Sequence, residues 1–268
     1  MRAFVVAVAF ATSAAAIAQA PSPALKQAVD GPARTTDNKA RDPYRHPAQT
    51  LAFFGVKPTD TVVEVWPGGG WYTEILAPYV KDKGKLILAN PKGAFGKTIS
   101  AKLDGDAATY GKVERAAFPA GALGGTGVAP GTADVVVTFR NVHNWRGGYL
   151  RDDKADYSVE AFKEMYAMLK PGGVLGVEDH RLPEKADAER ERSSGYMKVS
   201  TVKRLAEQAG FKFAGASEVN ANPKDTADWP KGVWTLPPTY AEGEADRAKY
   251  QAIGESDRMT LKFVKPKA

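Results

Sequence analysis

Residues 62–72, VVEVWPGGGWY, join a run of β-branched residues to three consecutive glycines and then to the start of an amphipathic stretch. This reads as a strand, a turn and a helix arranged around a ligand. Three glycines remove every side chain where the backbone turns, so a bound molecule can lie against main-chain N–H groups at the start of a helix. Glu64 falls inside the strand, where a carboxylate is costly to bury without a partner. Taken alone, the motif serves equally well as an ordinary glycine loop, and the surrounding chain decides between the two.

Working outward, the strand covers residues 61–66 and the next helix carries Ile75, Leu76, Tyr79 and Val80 on one side. Further strands follow at 85–90 (KLILAN), 113–118, 134–139 (DVVVTF) and 174–177, the last running straight into Glu178, Asp179, His180 and Arg181. Between them lie a loop at 119–132 with five glycines and a helix marked by Val159, Phe162, Tyr166 and Leu169, stopped by KPGG at 170–173. A helix begun at Ser200 precedes strands at 211–219 and 259–264. Near-continuous apolar strands alternating with helices predict an α/β fold, a doubly wound seven-stranded mostly parallel sheet. The last two strands lack a helical crossover. Residues 220–257 stand there instead, with Trp229, Trp234, Tyr240 and Tyr250 among several prolines, as either a binding loop or an aromatic plug over the sheet edge.

The 268 residues, 43% hydrophobic, suit one substantial core. Residues 1–20 read as a signal peptide: Arg2 precedes an alanine-rich apolar run that ends in Ala18-Gln19-Ala20 before Pro21, short of the ~20 residues a comfortable span needs. Residues 21–42 read as a flexible linker and 43–268 as the domain, with 220–257 inserted between its last two strands. Arg45 and His46, just ahead of a helix opened by Pro47, read as solvated. The absence of cysteine excludes disulfides, thiolate metal sites, cysteine nucleophiles and lipid attachment to cysteine. The net charge of +6 is spread along the chain rather than gathered in a block flanked by aromatics, which argues against nucleic acid. The expectation is a periplasmic or secreted protein with no stable membrane span, acting on a small molecule or an envelope component.

Four segments, VVEVWPGGGWYTEILAP, FRNVHNW, LKPGGVLGVEDHR and SDRMTLKFVKP, give the chain a resemblance to the class I S-adenosylmethionine-dependent methyltransferases. More narrowly it is similar to an exported bacterial group of predicted methyltransferases, and the resemblance covers residues 41–266. It implies a Rossmann-like methyltransferase fold and S-adenosylmethionine as cofactor. In that family the glycine loop after the first strand holds the aminocarboxypropyl end, an acidic residue ending the second strand binds the ribose, and one after the third meets the adenine. Glu64, Gly68, Gly69 and Gly70 match the first motif. Trp66 stands where the pattern has a glycine, Asn90 replaces the ribose acid, and residues 116–118 offer no carboxylate. An amide at Asn90 still bonds a hydroxyl, without the charge-assisted strength of a carboxylate. A dinucleotide fingerprint fits less well, because Thr73 falls at its third glycine.

Ligands of open α/β sheets bind beyond the carboxyl ends of the strands, where this chain places nearly all its reactive groups. The candidates for catalysis are His143, Glu178, Asp179 and His180, with one imidazole as general base and a carboxylate orienting it. Tyr72, Arg140 and Asn141 join Glu64, the glycines and Asn90 as candidate cofactor contacts. Two alternatives stand beside methyl transfer. One is an exported binding protein on the same scaffold that has lost or changed its cofactor. The other is metal-dependent chemistry at the histidine and carboxylate cluster, since imidazole with carboxylate suits zinc or iron.

Overall fold

The computed structural model describes residues 20–93 and 97–267, so the expected signal peptide lies outside the described residues except at Ala20. Among the described residues eight strands form: β1 Thr61–Val65, β2 Lys85–Asn90, β3 Glu114–Ala117, β4 Ala133–Phe139, β5 Leu169–Leu182, β6 Met197–Lys198, β7 Lys212–Ser217 and β8 Arg258–Val264. The sheet runs β3-β2-β1-β4-β5-β8-β7, with the short β6 pairing β5 at its far end. β8 is antiparallel to both neighbours and every other pairing is parallel. The expected sheet is therefore present. The two-residue β6, too short to leave a periodic signal, is the addition.

Both faces are covered. On one, the helices Ser158–Met168 and Val199–Gln208 press Phe162, Met165, Val202 and Leu205 against Val63, Val136 and Leu175. On the other, the helices Pro47–Phe54 and Thr73–Val80 press Leu51, Phe54, Ile75 and Leu76 against Val62, Leu88 and Val137. Side chains alternate along a strand, so consecutive residues of β5 go to opposite faces. That alternation later separates Glu178 from Asp179.

Residues 21–42 are not a flexible linker. Pro23–Asp30 is a helix capped by Ser22, whose Oγ accepts the Leu25 N–H at 3.2 Å, and its Leu25, Ala28 and Val29 are buried in the second core. Three small apolar positions in one eight-residue helix are too few to show a period, yet burying a leucine alone contributes about 2 kcal/mol. Arg45 is likewise buried at 1% exposure rather than solvated. The arm brings Asn38, Arg41 and Arg45 to the carboxyl ends of the strands.

Residues 220–257 are ordered by Asp225. Its Oδ1 accepts from Trp229 Nε1 at 2.7 Å and from the Ala227 N–H at 2.9 Å, while Oδ2 accepts the Asp257 N–H at 2.8 Å. Tyr196 donates to the same carboxylate at 3.0 Å. The segment thus returns over the sheet and carries Val233, Trp234, Pro237 and Pro238 to the wall of the main cleft. Part of the segment therefore borders the cleft, while Trp229 packs on Tyr250 within it.

Candidate functional site

The turn after β1 has two unlike parts. Gly68 and Gly69 line the cleft, and a Cβ added at either would meet nothing within 4 Å, so bare backbone faces the space. Gly70 does a different job from the one expected of it: with φ at +82°, its face lies against Ile99, whose Cδ1 stands 2.5 Å from where a Cβ would be. It lets the helix Lys97–Gly105 pack closely and does not line the cleft. Trp66 holds φ at +52°, a left-handed conformation that costs a non-glycine residue about 1 kcal/mol or more. That strain shows why the related pattern has a glycine here. Burial of the indole, its Nε1 bond to the Phe118 carbonyl at 2.9 Å and its edge contact with Trp145 offset the cost.

The cleft has a volume of about 410 Å³, within the range of small-molecule sites. His143, on the short helix that follows β4, contributes its imidazole to the wall. Its Nδ1 lies 2.8 Å from Asp179 Oδ1, and Asp179 also accepts the His143 and His180 backbone N–H groups at 3.2 and 2.8 Å. A fully buried carboxylate at that distance assigns the proton to Nδ1, which leaves Nε2 as an acceptor. His180 pairs its own Nδ1 with Ser256 Oγ, and the two rings stand 5.3 Å apart. Burial, then the neighbouring His143 and the arginines 140, 258 and 45, push His180 well below the usual histidine range, so it is neutral at physiological pH. A second cavity of about 460 Å³ meets the first at His143, Asn144 and Trp234.

Glu178 is not part of this arrangement. As the neighbour of Asp179 on β5 it takes the opposite face, where its carboxylate accepts from Arg258 at 3.2 Å, Tyr72 at 3.2 Å and Asn220 at 3.3 Å. Its role is to hold the buried Arg258 and to fix Tyr72, whose ring stacks on Phe139 at 3.5 Å and lines the cleft. Asn141 also lines the cleft, but its Nδ2 is committed to the scaffold. It donates to the carbonyls of Val65 and Trp66 at 3.1 and 3.2 Å and to Thr138 Oγ1 at 3.0 Å, tying the turn to β4. Arg140 follows β4 in a left-handed conformation, φ +62°, and faces the cleft.

Glu64 reaches the cleft from β1 and accepts a hydrogen bond from Thr73 Oγ1 at 2.6 Å. Burial without a cationic partner raises its pKa to about 8. Asn90 is separate. It lines a shallower hollow with Pro91, Lys92, Ser100 and Arg115 that shares no lining residue with the main cleft, and its Oδ1 is buried without a partner.

His143, Asp179 and His180 could together surround a cation, their ligand atoms lying within 4.8 Å of one another. The surroundings oppose this, because the positive charges of Arg140, Arg258 and Arg45 already act on His180 and would repel a cation. Sequence reasoning missed Arg41, Glu255 and Ser256 altogether, and placed Trp234 only within the inserted segment. The signal for Glu255 and Ser256 was their place directly before β8, at the mouth of the sheet.

No protein-family model matches the chain, and no curated protein matches it by sequence. Solved structures do. A SAM-dependent methyltransferase from Aquifex aeolicus superposes with a TM-score of 0.54 over 90% of this chain and 96% of its own, at 17% identity. The [4+2]-cyclase SpnF gives 0.58 over 92% of each chain at 14% identity. An arsenic(III) S-adenosylmethionine methyltransferase from Chlamydomonas reinhardtii gives 0.53 over 93% of this chain and 75% of its own, at 16% identity. These likenesses establish the Rossmann-like class I methyltransferase fold. One of the three is a cyclase, so the fold does not by itself name the reaction.

Proposed function

We propose that this protein is an S-adenosylmethionine-dependent methyltransferase whose acceptor is deprotonated by His143. The observation that carries the reading is the meeting, in one cleft, of the bare Gly68-Gly69 backbone with an imidazole oriented by a buried carboxylate. The residues present fit the cofactor. Gly68 and Gly69 offer an unobstructed surface to its amino-acid end, Glu64 offers a carboxyl to its ammonium, and the unpartnered Asn90 Oδ1 offers an acceptor to a ribose hydroxyl. When bound, the cofactor supplies an electrophilic methyl group on a sulfonium.

The chain's own part is positioning and proton transfer. Asp179 fixes the His143 tautomer, so Nε2 is the atom that takes the proton of an acceptor hydroxyl or amine. Asp179 then stabilises the imidazolium that forms. His180, neutral and anchored by Ser256, borders the acceptor without competing for its proton. Trp234, 6.3 Å from the His143 ring, and the prolines of the inserted segment limit water at that atom.

Calorimetric titration of residues 21–268 with S-adenosylmethionine tests this. Binding with measurable heat and thermal stabilisation is expected, and the absence of both at millimolar ligand sinks the proposal. Location belongs to the same proposal: Arg2 followed by an apolar run that ends in Ala18-Gln19-Ala20 supports export to the periplasm. Among the described residues no helix is long and apolar enough to cross a membrane. Fractionation should recover a mature chain beginning at Pro21; an intact Met1 in the cytoplasm would refute export.

A further inference from the structure

The cleft holds more positive charge than its own carboxylates use. Arg41 Nε donates to Glu255 Oε1 at 2.6 Å and Arg45 Nε donates to Oε2 at 3.0 Å, an oxygen that also accepts from Arg258 Nη2 at 3.0 Å. Glu255 is thereby fully engaged, and three arginines holding it keep its carboxyl down at about 2. Arg41 and Arg45 are each held by the Nε edge alone. Arg41 Nη2 and both terminal nitrogens of Arg45 are buried without a hydrogen-bond partner. Arg140 lines the same cleft and forms no ion pair among the described residues. Glu64, at a pKa of about 8, adds little negative charge at neutral pH.

An unmet buried donor costs roughly 1–3 kcal/mol and more when charged, so folded chains rarely keep several in one place without a ligand to meet them. Burial and then neighbouring arginines, Arg140 for Arg45 and Arg258 for Arg140, lower the pKa of both, and a bound anion would relieve the repulsion. Arg45 is also kept from turning away, its guanidinium lying 4.8 Å over the Trp71 ring. S-adenosylmethionine does not answer this charge: with a sulfonium, an ammonium and one carboxylate it carries a net positive charge.

We propose that Arg41, Arg45 and Arg140 form an oxyanion receptor for the methyl acceptor, which therefore carries a carboxylate or phosphate group besides the atom that is methylated. Planar guanidinium edges match both groups in bidentate fashion. The oxyanion on the arginines places the rest of the acceptor toward His143, across the same cleft. That the ligand is the acceptor rests on the methyl-transfer reading; that the site binds oxyanions does not.

The test uses residues 21–268 at low ionic strength, with inorganic phosphate and succinate as probes and chloride at matched ionic strength as control. Both probes should raise the melting temperature above the chloride value, and calorimetry ranks them, phosphate ahead pointing to a phosphate ester and succinate ahead to a carboxylate. Arg140→Met and Arg41→Met should each weaken the favoured probe by roughly tenfold to a hundredfold, the loss of a charge-assisted pair. Arg41 is partly exposed, so its variant keeps the test available if the other fails to fold. No stabilisation beyond chloride, or full binding by both variants, overturns the receptor. Displacement of S-adenosylmethionine by phosphate would also overturn it, by showing that the arginines hold the cofactor's own carboxylate. Phosphate binding without S-adenosylmethionine binding leaves the receptor standing and refutes the methyl-transfer reading instead.

Discussion

The two sides of the glycine turn are built differently. On the β4–β5 side most polar groups are held by another, Arg140 excepted: Asp179 orients His143, Ser256 anchors His180, Glu178 fixes Tyr72 and Arg258, and Glu255 gathers Arg41 and Arg45 by their Nε edges. On the β2–β3 side an amide with an unpartnered oxygen stands between Lys92 and Arg115, beside a tryptophan folded into the core. Preorganised groups stabilise a transition state without rearranging, so the rigid side is suited to chemistry and acceptor recognition. The sparse side is suited to holding a cofactor with few directed bonds.

The largest effect should come from the rigid side. His143→Ala removes the general base and is expected to lower turnover by about 10²–10⁴-fold. Release of S-adenosylhomocysteine in the presence of an oxyanion-bearing acceptor measures it. Calorimetry should find cofactor affinity unchanged, because His143 reaches the acceptor and not the glycine turn. Affinity lost together with turnover would mean that the two sides are not separate.

Glu64 lies at the boundary between them, and its effect is on stability. Its native pKa of about 8 stands above the unfolded value of 4.5, so the folded chain retains a proton that the unfolded chain releases. The protein should therefore lose stability as pH rises from roughly 4.5 to 8. Glu64→Gln should flatten that slope and be the more stable form near pH 9, by up to about 5 kcal/mol given ~1.4 kcal/mol per pKa unit. Denaturant unfolding at several pH values decides the matter. Identical slopes for the two proteins would show Glu64 to be ionised and paired. Binding of a ligand ammonium should draw the pKa back down, releasing a proton near pH 7 that calorimetry in buffers of different ionisation enthalpy detects.

The contrast was only half legible in the sequence. The sheet was readable because β1, β4 and residues 174–177 of β5 are mostly buried and so are nearly continuous in apolar residues. His143, Asp179 and His180 were readable because strand exits gather ligand-facing groups. Which carboxylate serves the imidazole was not, since Glu178 and Asp179 are adjacent and only the alternation of β5 assigns them to faces. The arginine cluster escaped for a different reason. Arg41 and Arg45 meet Glu255 across more than 200 residues, and nothing in the local pattern of a short polar arm announces such a contact. The arm's attachment can itself be measured: Leu25→Ala, emptying a site with 1% exposure, should cost about 2–4 kcal/mol in unfolding. A loss below ~0.5 kcal/mol would mean that the arm is not part of the cooperative fold.

The smallest effect should come from the sparse side, and it bears on where the adenosine lies. Asn90 ends β2 with its Oδ1 buried and unmet, in a hollow bordered by Lys92 and Arg115. Asn90→Asp would replace a neutral acceptor with a charged one, and the two cations beside it offset part of the carboxylate's desolvation. A ribose hydroxyl bonded there should be held more tightly, by about tenfold or less, since a charge-assisted bond exceeds a neutral one by ~1 kcal/mol. Adenosine alone is the sharper probe, because it lacks the amino-acid end that Gly68 and Gly69 receive. If Asn90→Asp leaves adenosine affinity unchanged or weaker, the nucleoside does not reach the β2 exit and must lie on the cleft side of Trp66. The two sides of the turn would then be one site, and Trp66 its floor.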